Sequence, residues 1–175
     1  MISLHTPITD KDITALRVGE KVSISGTIYT ARDQAHIRLI EEKNPKFLLD
    51  GSVIFYVGPT PNRDGIPIGA SGPTSSYRMD KLAVPLMERG LKLMIGKGDR
   101  SKEFQIEMIK NKAVYLIATG GAGALLSSRI KSSKIIMYDD LKSEAIRELE
   151  VEDFPCFVAY DIYGGSIFER ENNNG

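Results

Sequence analysis

The second half of the chain alternates short apolar runs with amphipathic segments, and this alternation strongly limits the possible folds. Segments typical of strands and of helices follow one another at 91–95, 101–111, 113–118, 122–128, 134–138 and 141–149. Such an order predicts parallel strands that are joined by helical crossovers. Two further apolar runs, 157–160 and 166–168, flank a pair of glycines and are predicted to close as a β-hairpin.

The first half of the chain is richer in strands and less regular. Residues 22–29 alternate apolar and polar side chains as a half-buried strand does, and the apolar run 53–57 is typical of a buried strand. We expect this half to supply a second, mixed or antiparallel layer beside a mostly parallel central sheet. The predicted fold class is therefore α/β with three layers, in one domain over residues 1–170, followed by a frayed tail at 171–175.

Two helices are predicted within this first half. The first covers 33–43. Its buried stripe is expected to comprise His36, Ile37 and Ile40. The second helix covers 75–89 and contains Pro85, which is expected to kink or divide it because proline lacks the N–H group that a helix interior requires.

The composition excludes several classes of protein. The 175 residues include 23 basic and 23 acidic side chains, so the formal net charge of zero gives no support for a nucleic-acid partner. Cys156 is the single cysteine, which excludes a disulfide framework and an iron–sulfur cluster held by this chain alone. No segment has the pattern of a leader or a membrane span, and a cytoplasmic location is therefore expected.

The segment 58–73 contains four prolines and four glycines and is predicted to be a long ordered loop. Long loops inside compact domains usually serve function. Directly after it, Thr74, Ser75 and Ser76 precede the predicted helix, and Arg78 lies four residues beyond Thr74. Hydroxyl groups and an arginine at a helix start can hold an anion, although a plain helix cap would explain the same residues.

Arg32 and His36 lie directly after the strand predicted at 22–29. Asp33 is the expected N-cap of the following helix. This would place Arg32 at a strand-to-helix corner, where its guanidinium can bind a carboxylate through two hydrogen bonds. His36 follows one turn later and is one of two histidines. A surface arginine and a core histidine are the alternative interpretation.

Two glycine-containing turns follow predicted strands. Lys97 lies between Gly96 and Gly98 at the end of a predicted parallel strand, where open α/β sheets bind ligands. Gly120 and Gly121 follow the next strand and can form a nest of backbone N–H groups for an anion, or can serve only tight packing of helix and strand. Neither turn completes a known nucleotide-binding motif.

The three cations Arg32, Arg78 and Lys97 all fall at predicted loops or element ends. Together they suit a small substrate with two carboxylates and a reactive carbon between them. The chain offers no acid–base pair beyond His36 and its hydroxyl groups. It is therefore expected to supply half of an active site.

Five motifs in this order resemble the β subunit of class I iron–sulfur fumarases and, equally, the β subunit of L-tartrate dehydratase. The motifs read ARDQAH at 31–36, GPTSSYRMD at 72–80, GKG at 96–98, GG at 120–121 and VEDFP at 151–155. In single-chain class I fumarases the same region is the C-terminal domain. The resemblance covers nearly the whole chain, from about residue 7 to residue 168.

The resemblance implies the swivelling β/β/α fold and a cytoplasmic hydro-lyase that adds water to, or removes it from, a small dicarboxylate. Fumarate and malate are the expected substrate pair, and conversion of tartrate to oxaloacetate is the close alternative. A [4Fe–4S] cluster would be carried by a separate α subunit, so we expect a hetero-oligomer and no metal bound by this chain. One iron of that cluster would bind the substrate hydroxyl and carboxylate as a Lewis acid.

The resemblance also implies roles for individual residues. Thr74 matches the threonine proposed as the base that takes the C3 proton, and His36 matches a histidine sometimes assigned as the active-site residue. The choice between them stays open at this point, because an alcohol needs strong activation to act as a base whereas an imidazole does not.

Three further residues match substrate contacts of the family: Arg32, Arg78 and Lys97. Gly120 and Gly121 remain a candidate anion loop. One departure from the family pattern is the sequence Ser75-Ser76-Tyr77, where a second threonine is common. Because the spacing from Thr74 to Arg78 is kept, the roles are kept, but the changed residues leave the choice of substrate open.

Two other classes of function fit the same residues. A stand-alone anion- or nucleotide-binding module built on 96–98 and 120–123 would bind its ligand without a partner. A non-catalytic structural subunit would tolerate alanine at Thr74, His36 or Arg78 in the assembled complex without loss of turnover.

Overall fold

The computed structural model describes residues 1–57, 79–118 and 127–168 of the chain. Its strands are Ile2–His5 (β1), Lys21–Thr30 (β2), Val53–Phe55 (β3), Leu93–Gly96 (β4), Val114–Ala118 (β5), Ile130–Met137 (β6) and Ile146–Tyr160 (β7). Its helices are Asp10–Ala15 (α1), Asp33–Glu41 (α2), Asp80–Glu88 (α3), Lys102–Lys110 (α4) and the 3₁₀ segment Asp139–Glu144. The predicted tail at 171–175 and most of the helix predicted at 122–128 lie outside the described residues.

The seven strands form one mixed sheet in the order β1-β2-β3-β4-β5-β7-β6. Strands β1 to β5 run parallel to one another, whereas β7 runs antiparallel to β5 and β6. A further antiparallel pairing of β7 with β2 closes five strands into a barrel-like arrangement. The α/β class and the parallel central strands are therefore confirmed.

The mixed or antiparallel layer predicted for the first half is found only in part, since β2 alone of its described strands has an antiparallel partner. The first-half strands β1, β2 and β3 are parallel to one another, and every antiparallel pair between the described strands involves β7. The first-half strands are parallel because α1 and α2 act as crossovers that return the chain to the same end of the sheet. The three-layer swivelling arrangement is not confirmed by this topology and stays a prediction.

The prediction of a helix at 141–149 is wrong. The chain there forms the end of the 3₁₀ segment and then the start of β7. Leu149 pairs with Ile28 of β2 on one side and with Ser133 of β6 on the other. Backbone hydrogen bonds to strands on both edges outweigh the helical preference of this glutamate- and leucine-rich stretch. The strand predicted at 134–138 falls almost entirely within the longer β6.

The hairpin predicted at 157–160 and 166–168 is reduced to one antiparallel bridge, between Tyr160 and Ser166. The carboxylate of Asp161 organises the intervening turn. It accepts hydrogen bonds from the backbone N–H groups of Val18 and Gly165, each at 2.9 Å. A single carboxylate with several backbone donors thus takes the place of the expected strand ladder.

Both faces of the closed strands are covered by apolar side chains. Phe55, Ile95 and Leu116 belong to one buried cluster, while Met94 and Tyr115 belong to the other. The helices α2, α3 and α4 contribute side chains to the second cluster. Burial on both faces explains why the central parallel strands form continuous apolar runs in the sequence rather than alternating ones.

Helix α2 positions the first candidate residues. Its N-cap is Arg32, not Asp33 as predicted, and the Arg32 side chain makes no capping hydrogen bond. The buried stripe consists of Ala35, His36 and Leu39. Ile37, expected on that stripe, is 48% exposed, because it lies about 200° around the helix axis from Ala35 and Leu39. At the other end, the Arg89 guanidinium donates hydrogen bonds to the last carbonyl groups of the helix.

The helices of the described ranges are short, and α2, α3 and α4 have nine residues each. Of the kink or division predicted at Pro85, the division does not occur: Pro85 lies inside α3, which continues as one element to Glu88. None of the helices in the ranges that the structure describes is long and apolar enough to span a membrane.

Candidate functional site

Four parallel strands end together at one edge of the sheet. Thr30 of β2 is in register with Phe55 of β3, Phe55 with Ile95 of β4, and Ile95 with Leu116 of β5. The chain beyond each strand therefore starts from the same edge, which is where α/β sheets bind ligands. The candidate residues of the sequence all follow these four strands.

Two of the candidate cations are described, and each lies two residues beyond this row. Arg32 follows Thr30, and Lys97 follows Ile95. The segment that leaves β3 carries Thr74 and Arg78, and the segment that leaves β5 carries Gly120 and Gly121; these four residues lie outside the described residues. The register of the sheet thus places the backbone of Arg32 and the backbone of Lys97 at the same edge.

Arg32 is anchored through its backbone. Its carbonyl oxygen accepts a hydrogen bond from the His36 N–H at 2.9 Å and one from the His36 ring Nδ1 at 2.8 Å. The Arg32 side chain is half-buried, and its Nε has no hydrogen-bond partner among the described residues. An arginine whose backbone is held in this way at a strand-to-helix corner can bind a carboxylate through its guanidinium.

His36 is fully buried against Tyr56, with 5.5 Å between the ring centroids. Because a carbonyl oxygen can only accept, the Nδ1 bonded to Arg32 carries the proton and Nε2 is left as an acceptor. Nε2 has no partner among the described residues. Burial above all, opposed by the hydrogen bond to the Arg32 carbonyl and aided by the nearby positive charge of Arg100, lowers the pKa of His36 to about 4. The imidazole is therefore neutral near pH 7, and its protonated nitrogen holds the start of α2.

The burial of His36 makes the protein sensitive to acid. The folded-state pKa of about 4 lies below the ordinary 6.5, so the neutral ring stabilises the fold above pH 6.5 and this contribution is lost as the pH falls through 4. We expect the free energy of unfolding to fall by about 3 kcal/mol from this group between pH 7 and pH 4. Urea denaturation at a series of pH values between 7 and 4 measures this free energy of unfolding.

The control for this prediction is the other histidine, His5, which is exposed. In His36→Gln the acid-dependent loss of stability should shrink by most of that amount, whereas His5→Gln should keep it. If the free energy of unfolding fell equally with pH in wild type and in His36→Gln, another group would be the cause of the acid sensitivity.

Lys97 is exposed directly after β4, and the chain bends at Gly98. Gly98 has a φ of +79°, a conformation that glycine adopts without strain. The carbonyl oxygen of Gly98 accepts a hydrogen bond from the Tyr115 hydroxyl at 2.9 Å. Buried Tyr115 of β5 therefore fixes the backbone next to the exposed Lys97.

Sequence reasoning missed a buried ion pair beside this edge. Arg100 is 3% exposed, and its Nε donates a short hydrogen bond to Oδ1 of Asp80. The other carboxylate oxygen, Oδ2, accepts a hydrogen bond from the Ser101 N–H at 2.7 Å. Asp80 ends the motif at 72–80, but nothing local marks it or Arg100 as buried, since charged residues are usually exposed.

Aromatic rings surround the Arg100 guanidinium. Its central carbon lies 3.7 Å from the Phe104 ring centroid, 4.9 Å from that of Tyr115 and 5.3 Å from that of Tyr56. Burial opposes the charged form of Arg100, but Tyr56 and Asp80 favour it, and the pKa of Arg100 ends above its ordinary value. Burial likewise raises the pKa of Tyr56. We call Tyr56, Asp80, Arg100 and Phe104 the Arg100 cluster; it keeps a permanent positive charge beneath the ends of β3 and β4.

The described residues do not fit an iron–sulfur cluster. Cys156 lies in β7, is fully buried in the apolar core, and has a thiol pKa that burial raises. Thiolate is the form that binds iron, so a buried neutral thiol is a poor ligand. Within the described ranges, no group of three or more His, Cys, Asp or Glu side chains is placed to hold a metal ion.

Comparison with known proteins gives a consistent result. The family model described as "Fumarase C-terminus" matches residues 1–171. A Methanocaldococcus jannaschii protein with the name "Putative L(+)-tartrate dehydratase subunit beta" is 38% identical over 176 residues, which cover 94% of this chain and 90% of that protein.

Two fumarate hydratases are similar over part of their length. "Fumarate hydratase 1, mitochondrial" of Leishmania major is 34% identical over 180 residues, and "Fumarate hydratase class I, aerobic" of Escherichia coli is 33% identical over 178 residues. In each case the match covers 97% of this chain and 32% of the relative. The chain therefore spans about a third of the length of these fumarate hydratases.

Proposed function

Since the chain belongs to the fumarase C-terminus family, we propose that it is the β subunit of a hydro-lyase that interconverts fumarate and malate. The family membership inferred from the five sequence motifs is confirmed. The chain matches about one third of each fumarate hydratase, and the remaining two thirds of those enzymes have no counterpart in residues 1–175 of this chain. We propose that a separate α subunit supplies them and carries the [4Fe–4S] cluster.

The observation that carries this proposal is the common edge at which β2, β3, β4 and β5 end in register. Arg32 and Lys97 start from that edge, and the segment with Thr74 and Arg78 leaves from it after β3. A small dicarboxylate needs cations at two ends, and the positions of Arg32 and Lys97 after two neighbouring strand ends support this requirement.

The proposed roles divide between binding and proton transfer. Arg32, Arg78 and Lys97 bind the two substrate carboxylates. Thr74, as its alkoxide, accepts the proton from C3 while the C2–C3 double bond forms and the C2–O bond breaks, and the released hydroxide leaves as water after taking up a proton. The complete burial of the His36 ring, with Nδ1 bonded to the Arg32 carbonyl, supports a positioning role for it rather than proton abstraction. When bound, the cluster of the α subunit would supply Lewis-acid chemistry.

The second candidate is the β subunit of an L-tartrate dehydratase. It is favoured by a specific observation, the match over 90% of a protein whose name is that of a tartrate dehydratase β subunit. Tartrate has a second hydroxyl group where malate has none, so the two substrates require different polar contacts. The stretch Ser75-Ser76-Tyr77 differs from the common family pattern next to Thr74 and is the first place to look for that difference.

An anaerobic dehydratase assay tests the proposal. The chain is assayed alone and then with its cluster-bearing α subunit, with malate and L-tartrate offered separately. We expect activity only in the mixture, and the preferred acid decides between the two candidates.

An inactive mixture with a spectroscopically intact cluster would contradict both candidates. Binding of a nucleotide or dicarboxylate by the chain alone, measured by calorimetry, would then favour the binding-module alternative. The cytoplasmic location stays a prediction.

A further inference from the structure

Arg100 contacts the chain on both sides of the segment 58–78. Before that segment it lies beside Tyr56, with 5.3 Å between the guanidinium carbon and the ring centroid. After the segment it is bonded to Asp80 through Nε. One buried side chain therefore joins two points that are separated by twenty-three intervening residues of sequence.

The same residue follows the end of β4 in sequence and is bonded to β7. Its backbone N–H donates a hydrogen bond to the hydroxyl of Tyr160 in β7 at 2.7 Å, and Lys97 lies three residues before it. The next residue, Ser101, donates its N–H to Asp80 and caps α4. The Tyr56 N–H is also bonded to the carbonyl oxygen of Ile95 at 2.9 Å, so the ends of β3, β4 and α3 meet at this cluster.

A guanidinium is suited to this task because it is planar and can bond in its plane while it stacks on a ring. Arg100 uses both properties, with Asp80 at Nε and the Phe104 ring 3.7 Å from its carbon. A lysine ammonium carries the same charge but has no plane to stack. The arrangement also lies in a buried region, where the positions of paired charges are strongly restrained.

We propose that Arg100 is a positioning residue of the hydro-lyase site: it holds Tyr56 and Asp80, the two flanks of the segment that carries Thr74 and Arg78, in fixed relation to the turn that carries Lys97. This inference rests on the proposed function. It assigns no contact with substrate to Arg100, whose effect on the reaction passes through the groups that it holds.

The kinetic test uses Arg100→Met in the complex with the α subunit. Misplacement of a reacting group by a small distance is costly, so kcat should fall at least ~30-fold at saturating substrate. Arg100→Lys restores only the charge, so its decrease in log kcat relative to wild type should be more than half of the decrease seen in Arg100→Met. Arg89→Met is the matched control, since Arg89 also bonds partly buried groups but caps the far end of α2; its kcat should stay within ~3-fold of wild type.

Hydrogen exchange gives a readout that needs no activity. In the full chain, amides of 53–57 and 79–84 should exchange at least ~10-fold faster in Arg100→Met than in Arg89→Met, compared at equal free energy of unfolding. If Arg100→Met does not fold, Asp80→Asn and Tyr56→Leu take its place: the first removes the charge that pairs with Arg100, the second removes the ring beside it, and both leave the arginine.

The outcomes separate the two proposals. An inactive wild-type complex overturns the proposed function and the catalytic part of this inference with it, while faster exchange at both flanks would still establish the structural part. An active wild-type complex in which the Arg100 and Asp80 variants match Arg89→Met, in kcat and in exchange, would overturn the positioning role alone.

Discussion

Replacing Thr74 with alanine is expected to lower kcat for malate dehydration about 1,000-fold, because removal of a general base commonly costs 10²–10⁴ in rate. The expected loss lies in kcat rather than in KM, since the hydroxyl group acts on the C3 proton in the transition state. His36 is not expected to take over as the base, because its ring is fully buried and its Nδ1 is bonded to the Arg32 carbonyl. Steady-state kinetics of the anaerobic complex measure this effect.

Two variants control the Thr74 experiment. Thr74→Ser keeps the hydroxyl group and should retain kcat within ~10-fold. His36→Gln should also keep kcat within ~10-fold but raise KM, because the loss of its ring loosens the backbone of Arg32. The opposite pattern, with a large loss in kcat for His36→Gln and little for Thr74→Ala, would make His36 the base.

Replacing Arg78 with methionine is expected to lower kcat/KM at least ~100-fold, because a charge-assisted pair with a substrate carboxylate is worth roughly 3 kcal/mol. Methionine keeps much of the length of the arginine side chain but has neither charge nor hydrogen-bond donors. The result is measured as kcat/KM for both malate and L-tartrate, in the complex whose wild-type activity has been established.

The matched control for Arg78 is Arg38, which pairs with Asp140 at the surface at 2.7 Å and lies on the exposed side of α2. Arg38→Met removes the same charge and should leave kcat/KM within ~2-fold, since exposed pairs contribute little. A loss below ~10-fold in Arg78→Met would contradict the assignment of Arg78 as a carboxylate ligand.

The strand prediction succeeded where one stretch of chain carries its own signal. The apolar runs that became β3, β4 and β5 are buried on both faces, and such strands are visible as short runs without reference to any other segment. The prediction failed at 141–149, where residues with helical preference became the first part of β7. There the outcome depends on β2 and β6, which bond to both edges of that stretch and are distant in sequence.

The candidate site divides in the same way. Arg32 and Lys97 could be identified because each follows a strand, and the sheet places both at one edge. The state of His36 could not, since its pKa of about 4 comes from burial that several elements create together. Asp80 and Arg100 escaped notice because a buried pair is recognised only when both partners are seen.

Local patterns were thus sufficient for the α/β class, the parallel strands and the membership of the fumarase C-terminus family, because periodicity and motif spacing are properties of neighbouring residues. The closure of the sheet by β7, the neutral state of His36 and the Arg100 cluster arise from contacts between residues far apart in the chain. Burial and pairing are properties of the surrounding fold, so they emerge only when these distant segments are brought together.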